Sequence, residues 1–349
     1  MDAQRIYIAG LGAVSPAGWG VSALRSALSQ GTPLPDVELV RPGWAERLRV
    51  REVPPPAPRP AFLGHPRLRR ASAITQYAAG AVLQALEASD VVGGRPRHLG
   101  LVMCVLCGCL QYTQRFFGEV LQDPATASPL LFSETVFNAP ASHVAALLPE
   151  PPVTCTLLGD PATFLQGLGL AAEWLLEGRV DDCLVVGAEE TNWLVADAIR
   201  HFDRRVRPAG GGGAVLLSRS PERSLGVELA QITDPQTHST RQSRHQAARR
   251  MRACLPAGAG DELLCDSQPE LPRGAAAEAA AWHDWPGARL SPKVILGEGL
   301  MAASAWQCVA AVDALQSGRF RAAIVSVVGA SDQALGARFC RASPQGRDR

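Results

Sequence analysis

The chain has 349 residues, 47% hydrophobic and 19% charged, a composition that predicts one or two compact domains and excludes intrinsic disorder. The formal net charge of +1 provides no field that would attract nucleic acid or an anionic membrane. The N-terminus lacks the apolar run of a signal peptide, and no apolar segment reaches the ~20 residues of a membrane span. Most of the nine cysteines lie in apolar patterns. We therefore expect reduced thiols and a cytoplasmic location.

The first third of the chain alternates between strand and helix patterns. Residues 5–9 (RIYIA) predict a buried strand, which the glycine-rich residues 10–18 (GLGAVSPAG) are expected to end, and residues 21–29 predict a helix. Residues 33–70 are rich in proline and arginine, which predicts a surface excursion. A second helix, over residues 71–88, precedes a second buried strand.

One order of elements occurs twice. A helix, a Gly-Arg turn and a buried strand occupy residues 170–188 and recur over residues 309–330. Strands that alternate with helices imply a sheet covered on both faces, and the repeat predicts a duplicated α/β fold. The polar, basic residues 236–260 are expected to separate the halves loosely.

The first repeated helix is preceded by a clear helix-start pattern. Residues 158–163 (LGDPAT) lead into this helix and contain no cysteine. Asp160 is suited to the N-cap, because a carboxylate can accept from free amides at the positive end of the helix dipole. Pro161 is suited to the next position, which needs no amide hydrogen.

Segments spread over most of the chain form a further pattern. They are residues 7–18 (YIAGLGAVSPAG), 127–132 (ASPLLF), 138–142 (NAPAS), 158–163 (LGDPAT) and 208–217 (PAGGGGAVLL). Together they resemble the β-ketoacyl-acyl carrier protein synthases. The resemblance implies a thiolase-like α/β fold, a duplicated α-β-α-β-α five-layered sandwich. It implies an N-terminal half at residues 1–225 and a shortened C-terminal half at residues 226–349.

The chain departs from this family at the catalytic positions. The family's nucleophilic cysteine falls on Asp160 or Pro161, its first histidine on Ser267 and its second on Glu298. The family's lysine is retained as Lys293, the only lysine of the chain. The family's closing Gly-Phe-Gly-Gly gate is replaced by residues 328–331 (VGAS), without the phenylalanine.

These replacements remove the chemistry of condensation. That reaction needs a thiolate to carry the acyl chain and donors that stabilise the developing enolate. Asp160 is a poor acyl carrier and would repel an enolate, and Glu298 carries the wrong charge for an imidazole's role. We therefore predict no catalytic residue, no cofactor and no metal in this chain.

The resemblance also implies a dimer interface. Residues 127–142 correspond to the family's interface segment, so Phe116, Phe117, Leu131 and Phe132 are predicted to shape a tunnel across it. Core packing is an equal alternative for Phe116 and Phe117.

The predicted function is that of a chain-length-factor-like, non-catalytic subunit. Its partners would be an active ketosynthase subunit and an acyl carrier protein, in type II polyketide, aryl-polyene or fatty-acyl elongation. Lys293 is expected to form a salt bridge with Glu298 or another buried acid.

Two other functions remain open. The first is an enzyme of altered chemistry, an acyl hydrolase or transferase that uses Ser267, Glu298 or Cys155, with Ser267 and Glu298 as an acid/base pair; a polar remnant is the simpler explanation of that pair. The second is a homodimer that binds an acyl thioester.

Three patterns are less specific. Cys104, Cys107 and Cys109 form a C-x-x-C-x-C run without a matching second pair, so a metal site is not expected. Gly10-x-Gly12 lacks the third glycine of a dinucleotide fingerprint and predicts a structural turn. Residues 238–252 predict a helix with a basic face, which is either solvated or a docking patch for an acidic carrier protein.

Overall fold

The structure is a computed structural model that describes residues 5–41, 43–69, 71–89, 98–256, 258–268, 272–329 and 331–342. Its strands are β1 (Tyr7–Ser15), β2 (Gly18–Trp19), β3 (Val37–Val40), β4 (Arg47–Val50), β5 (Leu99–Val105), β6 (Val153–Leu158), β7 (Asp182–Glu189), β8 (Gly211–Ser218), β9 (Val227–Ile232), β10 (Gln236–Thr237), β11 (Glu262–Cys265), β12 (Ala288–Leu290), β13 (Ala322–Val328) and β14 (Gln333–Arg341). Its helices are α1 (Val21–Gln30), α2 (Ala73–Glu87), α3 (Leu110–Gln122), α4 (Pro129–Thr135), α5 (Ala139–Ala145), α6 (Thr163–Leu176), α7 (Trp193–Phe202), α8 (Arg241–Ala253), α9 (Pro272–Ala281), α10 (Pro292–Leu296) and α11 (Met301–Gln316).

The sheet has a duplicated order. Its strands run β12-β11-β13-β14-β9-β1-β8-β7-β5-β6, so that β1-β8-β7-β5-β6 on one side matches β9-β14-β13-β11-β12 on the other. In each half the three outermost strands are parallel to one another, and the inner pairs are antiparallel. The duplication predicted from the repeated helix-turn-strand order is thereby confirmed. The division of the chain at residue 225 stays a prediction.

Helices cover both faces of each half and share a middle layer. Helix α11 is buried along most of its length and contacts β7 and β8 of the first half and β11 and β13 of the second. Helix α6 lies beside it, α2 and α5 cover the outside of the first half, and α8 and α9 cover the outside of the second. This arrangement is the predicted α-β-α-β-α sandwich. No helix in the described ranges has the length and apolar character that a bilayer crossing needs.

The first strand is longer than predicted. Strand β1 continues through residues 10–15, which we expected to form a turn, and pairs with β8 along its length. A Cβ atom on Gly10 or Gly12 would collide with the backbone carbonyls of Ala85 or Ala81 on α2. These glycines therefore let the helix approach the strand closely; they do not end it.

The basic segment at residues 236–260 is also placed differently. Helix α8 packs on β14 and α9, with Ala247, Ala248 and Met251 buried. The segment is thus part of the outer layer of the second half, and the prediction of a loose separator is wrong.

Candidate functional site

Asp160 is buried and saturated with hydrogen bonds. The residue is only 2% exposed. Its Oδ1 atom accepts from the amide of Ala162 at 3.0 Å. Oδ2 accepts from the amides of Asp332 and Gln333, each at 3.2 Å, and the Gln333 side-chain amide donates to Oδ1 at 3.3 Å. The carboxylate therefore fastens the start of α6 to the turn between β13 and β14. Its oxygens serve as structural acceptors.

The helix begins later than predicted. The N-cap of α6 is Ala162, so Asp160 and Pro161 precede the helix, and the N-cap prediction for Asp160 is wrong. Residues 160–162 instead form a tight turn, in which the amide of Thr163 donates to the carbonyl of Asp160 at 2.9 Å. The Asp160 side chain accepts from the amide two residues on, as in an Asx turn. The Asp160 carboxylate is a hydrogen-bond acceptor, as predicted, but it accepts from an amide within the turn and from amides of the second half.

A histidine and an arginine lie near the Asp160 carboxylate. Burial lowers the pKa of His238 and Arg244, and the negative charge of Asp160 opposes both shifts. The His238 amide donates to the carbonyl of Asp332 at 2.7 Å, and the His238 side chain is buried before α8 begins. His238 therefore does not belong to the predicted basic face of the helix.

Ser267, which the resemblance matches to the family's first histidine, is hydrogen-bonded to a buried glutamate. The Ser267 hydroxyl donates to Oε2 of Glu278 at 2.9 Å and accepts from the amide of Val328 at 3.2 Å. The Ser326 hydroxyl lies 2.5 Å from the other Glu278 oxygen. Burial, and then the nearby Asp266, raises the pKa of Glu278, so its neutral form is favoured.

Glu298, which the resemblance matches to the family's second histidine, is paired with Lys293. Nζ of Lys293 donates to Oε2 of Glu298 at 3.0 Å, and their side chains are 6% and 11% exposed. The other oxygen accepts from the amide of Leu300, a residue with a φ of 50°. The predicted Lys293–Glu298 salt bridge is therefore present. The predicted Ser267–Glu298 acid/base pair is not formed, because each side chain is engaged by a different partner.

The structure brings these positions together through short links. Ser267 contacts Val328, and the next residue, Gly329, packs so closely on the Asp160 carboxylate that a side chain there would collide with it. Next to Ser267, the Asp266 carboxylate accepts from the Ser291 hydroxyl at 2.6 Å. The positive charge of Lys293 acts on this carboxylate and opposes the rise of its pKa that burial causes. We call Asp160, Ser267, Lys293 and Glu298 the central site. Ala330 of the predicted gate lies outside the described residues.

The predicted interface residues lie elsewhere, on α3 and α4. Phe116 packs on Phe132 with ring centroids 5.4 Å apart, and Phe116 and Leu131 are half-buried. Phe117 and Phe132 are 59% and 55% exposed, so the core-packing alternative is wrong for Phe117. We call the exposed apolar side chains of this region the α3–α4 patch, namely Phe117, Leu121, Leu130, Phe132, Val136 and Phe137.

Sequence reasoning missed two residues that organise the central site. Gln333 binds Asp160, and Glu278 binds Ser267 and Ser326. A signal for Glu278 was present, since it is the single charge in the run AAAEAAA at residues 275–281. A lone carboxylate on an apolar helix face implies a buried polar partner. No comparable pattern marks Gln333.

Several solved structures share this fold. The ishigamide ketosynthase/chain length factor is 22% identical, over 97% of this chain and 100% of that chain, with a TM-score of 0.77. A type II PKS acyl-carrier protein in complex with its ketosynthase is 16% identical, over 97% and 99%, with a TM-score of 0.77. A β-ketoacyl synthase from Burkholderia phymatum STM815 is 16% identical, over 98% and 100%, with a TM-score of 0.80. Neither a comparison with sequence models of protein families nor one with curated proteins gives a match.

Proposed function

From the ketosynthase fold that the chain shares with these structures, we propose that it is a chain-length-factor-like, non-catalytic subunit. It would pair with an active ketosynthase and act on chains borne by an acyl carrier protein, in type II polyketide, aryl-polyene or fatty-acyl elongation. The resemblance supports the pathway class, and the hydrogen bonding of the central site supports a non-catalytic role.

The state of Asp160 carries the proposal. A condensing nucleophile must be free to attack a thioester, whereas both oxygens of Asp160 are occupied by donors from α6 and the β13–β14 turn. In the Lys293–Glu298 pair the carboxylate is neutralised by the lysine, and the resemblance matches Glu298 to an imidazole donor of the family. Buried, mutually satisfied groups favour a structural role over catalysis.

The α3–α4 patch supports a partner subunit. No described residue of α3 or α4 is fully buried, although both helices carry phenylalanine and leucine side chains. The nearby β6 is an edge strand of the sheet, and Leu158 at its end is 53% exposed. Exposed apolar clusters beside a free edge are typical of protein interfaces. The side chains predicted to shape a shared tunnel, Phe116, Phe117, Leu131 and Phe132, lie in this region.

Helix α8 supports docking of an acidic carrier protein. The helix has no acidic residue, and Arg241, Arg249 and Arg250 are exposed. Arg241 occupies the first turn, where a cation is unfavourable with respect to the helix dipole, so its position does not serve the stability of the helix. Complementary charge would attract a carrier protein to this side of the molecule.

The proposal is tested by expressing the chain alone and together with a ketosynthase encoded beside it. We expect native mass spectrometry to give a one-to-one heterodimer, and condensation of acyl and malonyl thioesters to require both subunits. The double variant Phe117→Glu/Phe132→Glu should weaken the heterodimer. Phe202→Glu is the matched control, because Phe202 is 81% exposed on α7, outside the patch.

Three results would overturn the proposal. Condensation by the purified chain alone would show that it is an enzyme. Labelling of Ser267, Glu298 or Cys155 by an active-site probe, lost when that residue is replaced, would favour a hydrolase or transferase. A stable homodimer that binds an acyl thioester would favour the alternative of an acyl-thioester-binding homodimer.

A further inference from the structure

A half-open cavity of about 340 Å³ lies where α1, near the start of the chain, packs against elements of the second half. It is bounded by α1, α11 and the two strands β11 and β12. A volume of this size is within the range of small-molecule sites. Its described lining contains no residue of the central site, so the cavity is separate from the positions discussed above.

The walls of the cavity are apolar. Leu24, Leu263 and Ala310 are buried, and Leu24 and Leu263 belong to the core of the middle layer. The half-exposed wall residues are Val21, Leu28, Leu290, Ala314 and Phe320. An apolar tail that entered this cavity would leave water and contact side chains that are now partly wet.

The mouth of the cavity has an excess of positive charge. Nε and Nη2 of Arg25 donate to the Asp313 carboxylate at 2.7 and 2.5 Å, which neutralises that acid and leaves Nη1 outside the pair. Asp313 is the one carboxylate among the described lining residues. Arg319 is exposed at the mouth, with its guanidinium 5.4 Å from the centroid of the Phe320 ring.

We propose that this cavity is a binding site for a medium-chain aliphatic carboxylate. The tail lies along the apolar walls, and the carboxylate accepts hydrogen bonds from Arg319 and from Nη1 of Arg25 at the mouth. Both charge and tail are required, because an alcohol lacks the anion that arginine recognises and a short acid lacks the apolar surface. An alkylammonium ion would be repelled by the same mouth.

The probe for this site is octanoate, titrated into the full chain and followed by calorimetry. We expect saturable one-to-one binding, about tenfold weaker for Arg319→Ala, since one charge-assisted hydrogen bond is lost. Ala314→Phe should abolish binding by filling the cavity. Octan-1-ol and acetate should each bind at least about tenfold more weakly than octanoate.

The chain offers a matched control through its own repeat. Arg179 follows Gly178 as Arg319 follows Gly318, and its guanidinium stacks 4.7 Å from the Trp174 ring. Arg179→Ala therefore removes an equivalent stacked arginine far from the cavity and should leave octanoate affinity unchanged. Circular dichroism verifies that each variant is folded.

Three outcomes would overturn the assignment. Absence of octanoate binding at millimolar concentration would exclude the site. Equal affinity of the wild type and Arg319→Ala would exclude recognition of the carboxylate by the mouth. Undiminished binding to Ala314→Phe would place the ligand elsewhere on the molecule.

Discussion

Asp160 holds two parts of the fold together through a single buried carboxylate. Asp160→Ala would leave the amides of Ala162, Asp332 and Gln333 without their acceptor. Because an unsatisfied buried donor costs about 1–3 kcal/mol, we expect the free energy of unfolding to fall by about 3 kcal/mol. Asp160→Asn should cost less, since the amide oxygen still accepts. Urea denaturation measures both values.

A third substitution, Asp160→Cys, tests whether a thiol at this position is enough for condensing activity. It introduces a thiol at one of the two positions, Asp160 or Pro161, on which the resemblance places the family's nucleophile. It also removes the same acceptor, and it leaves Ser267 and Glu298 at the positions that the resemblance matches to histidines. We expect a loss of stability close to that of Asp160→Ala and no gain of condensing activity. An Asp160→Ala variant as stable as the wild type would contradict the structural role of this carboxylate.

Glu278 makes stability depend on pH. Its pKa is raised in the folded chain by burial, so the folded state holds a proton that the unfolded state releases above its ordinary pKa. The contribution of Glu278 to the stability is therefore fully present below the ordinary carboxyl pKa and is lost as the pH rises through the raised value. Glu278→Gln removes this titration, and we expect a flatter dependence of the urea midpoint on pH between about 5 and 8.

A second carboxylate limits how flat that profile becomes. Burial raises the pKa of Glu189 to about 8 as well, although the amides of Leu106 and Cys107 donate to it. In Glu278→Gln the change of the urea midpoint with pH should therefore be smaller than in the wild type, but it should not disappear. Glu173→Gln, at an exposed position on α6, controls for the loss of one carboxylate. An unchanged slope in Glu278→Gln would show that this group does not titrate as its burial implies.

The sequence predicted several helices closely. Helices α1, α2 and α8 lie within a few residues of the predicted ranges, and for α2 the prediction rested on apolar residues that recur with a helical period. The long β1 strand was missed because glycine is ordinarily a turn signal. Gly10 and Gly12 are explained only by the approach of α2, a contact between segments about 70 residues apart that local pattern does not contain.

The contacts of the central site that join distant segments were likewise not predictable from local sequence pattern. The resemblance located Asp160, Ser267, Lys293 and Glu298, and the Lys293–Glu298 pair followed from their opposite charges and close spacing. The partner of Ser267 could not be predicted from the family, because Glu278 belongs to α9 and faces Ser267 only after α9 packs on β13. The Asp160–Gln333 contact likewise joins residues of opposite halves.

The α3 and α4 elements should be weakly protected in the isolated chain. They lack fully buried residues, whereas α11 is buried along most of its length. Local opening is easiest where few apolar contacts hold an element, so we expect α3 amides to exchange with solvent at least about 100-fold faster than those of α11. Hydrogen exchange with mass spectrometry measures this difference.

The partner subunit provides the control for that measurement. Exchange in α3 and α4 should slow when the ketosynthase binds, while α8 should be unaffected by this contact. Equal protection of α3 and α11 in the isolated chain would mean that the α3–α4 patch is already stabilised without a partner.

At the scale of the molecule, the two halves are joined through the middle layer. Trp306 of α11 is fully buried, and its Nε1 donates to the carbonyls of Val14 and Gly212, at 3.0 and 3.1 Å, in strands of the first half. Glycines make room for this indole, because a Cβ atom on Gly211 or Gly299 would collide with the ring. A residue of the second half is thus inserted into the first, which couples the stability of both.

Trp306→Ala tests that coupling. Removing a buried tryptophan costs about 3–5 kcal/mol, and here the loss should appear in both halves because the cavity forms between them. We expect one unfolding transition at lower urea concentration, with coincident midpoints by circular dichroism and by tryptophan fluorescence. Trp44→Ala, at a residue 46% exposed outside the core, should shift the midpoint by less than about 1 kcal/mol. Two separate transitions, of which Trp306→Ala moves only one, would show that the halves unfold independently and that α11 belongs energetically to the second half alone.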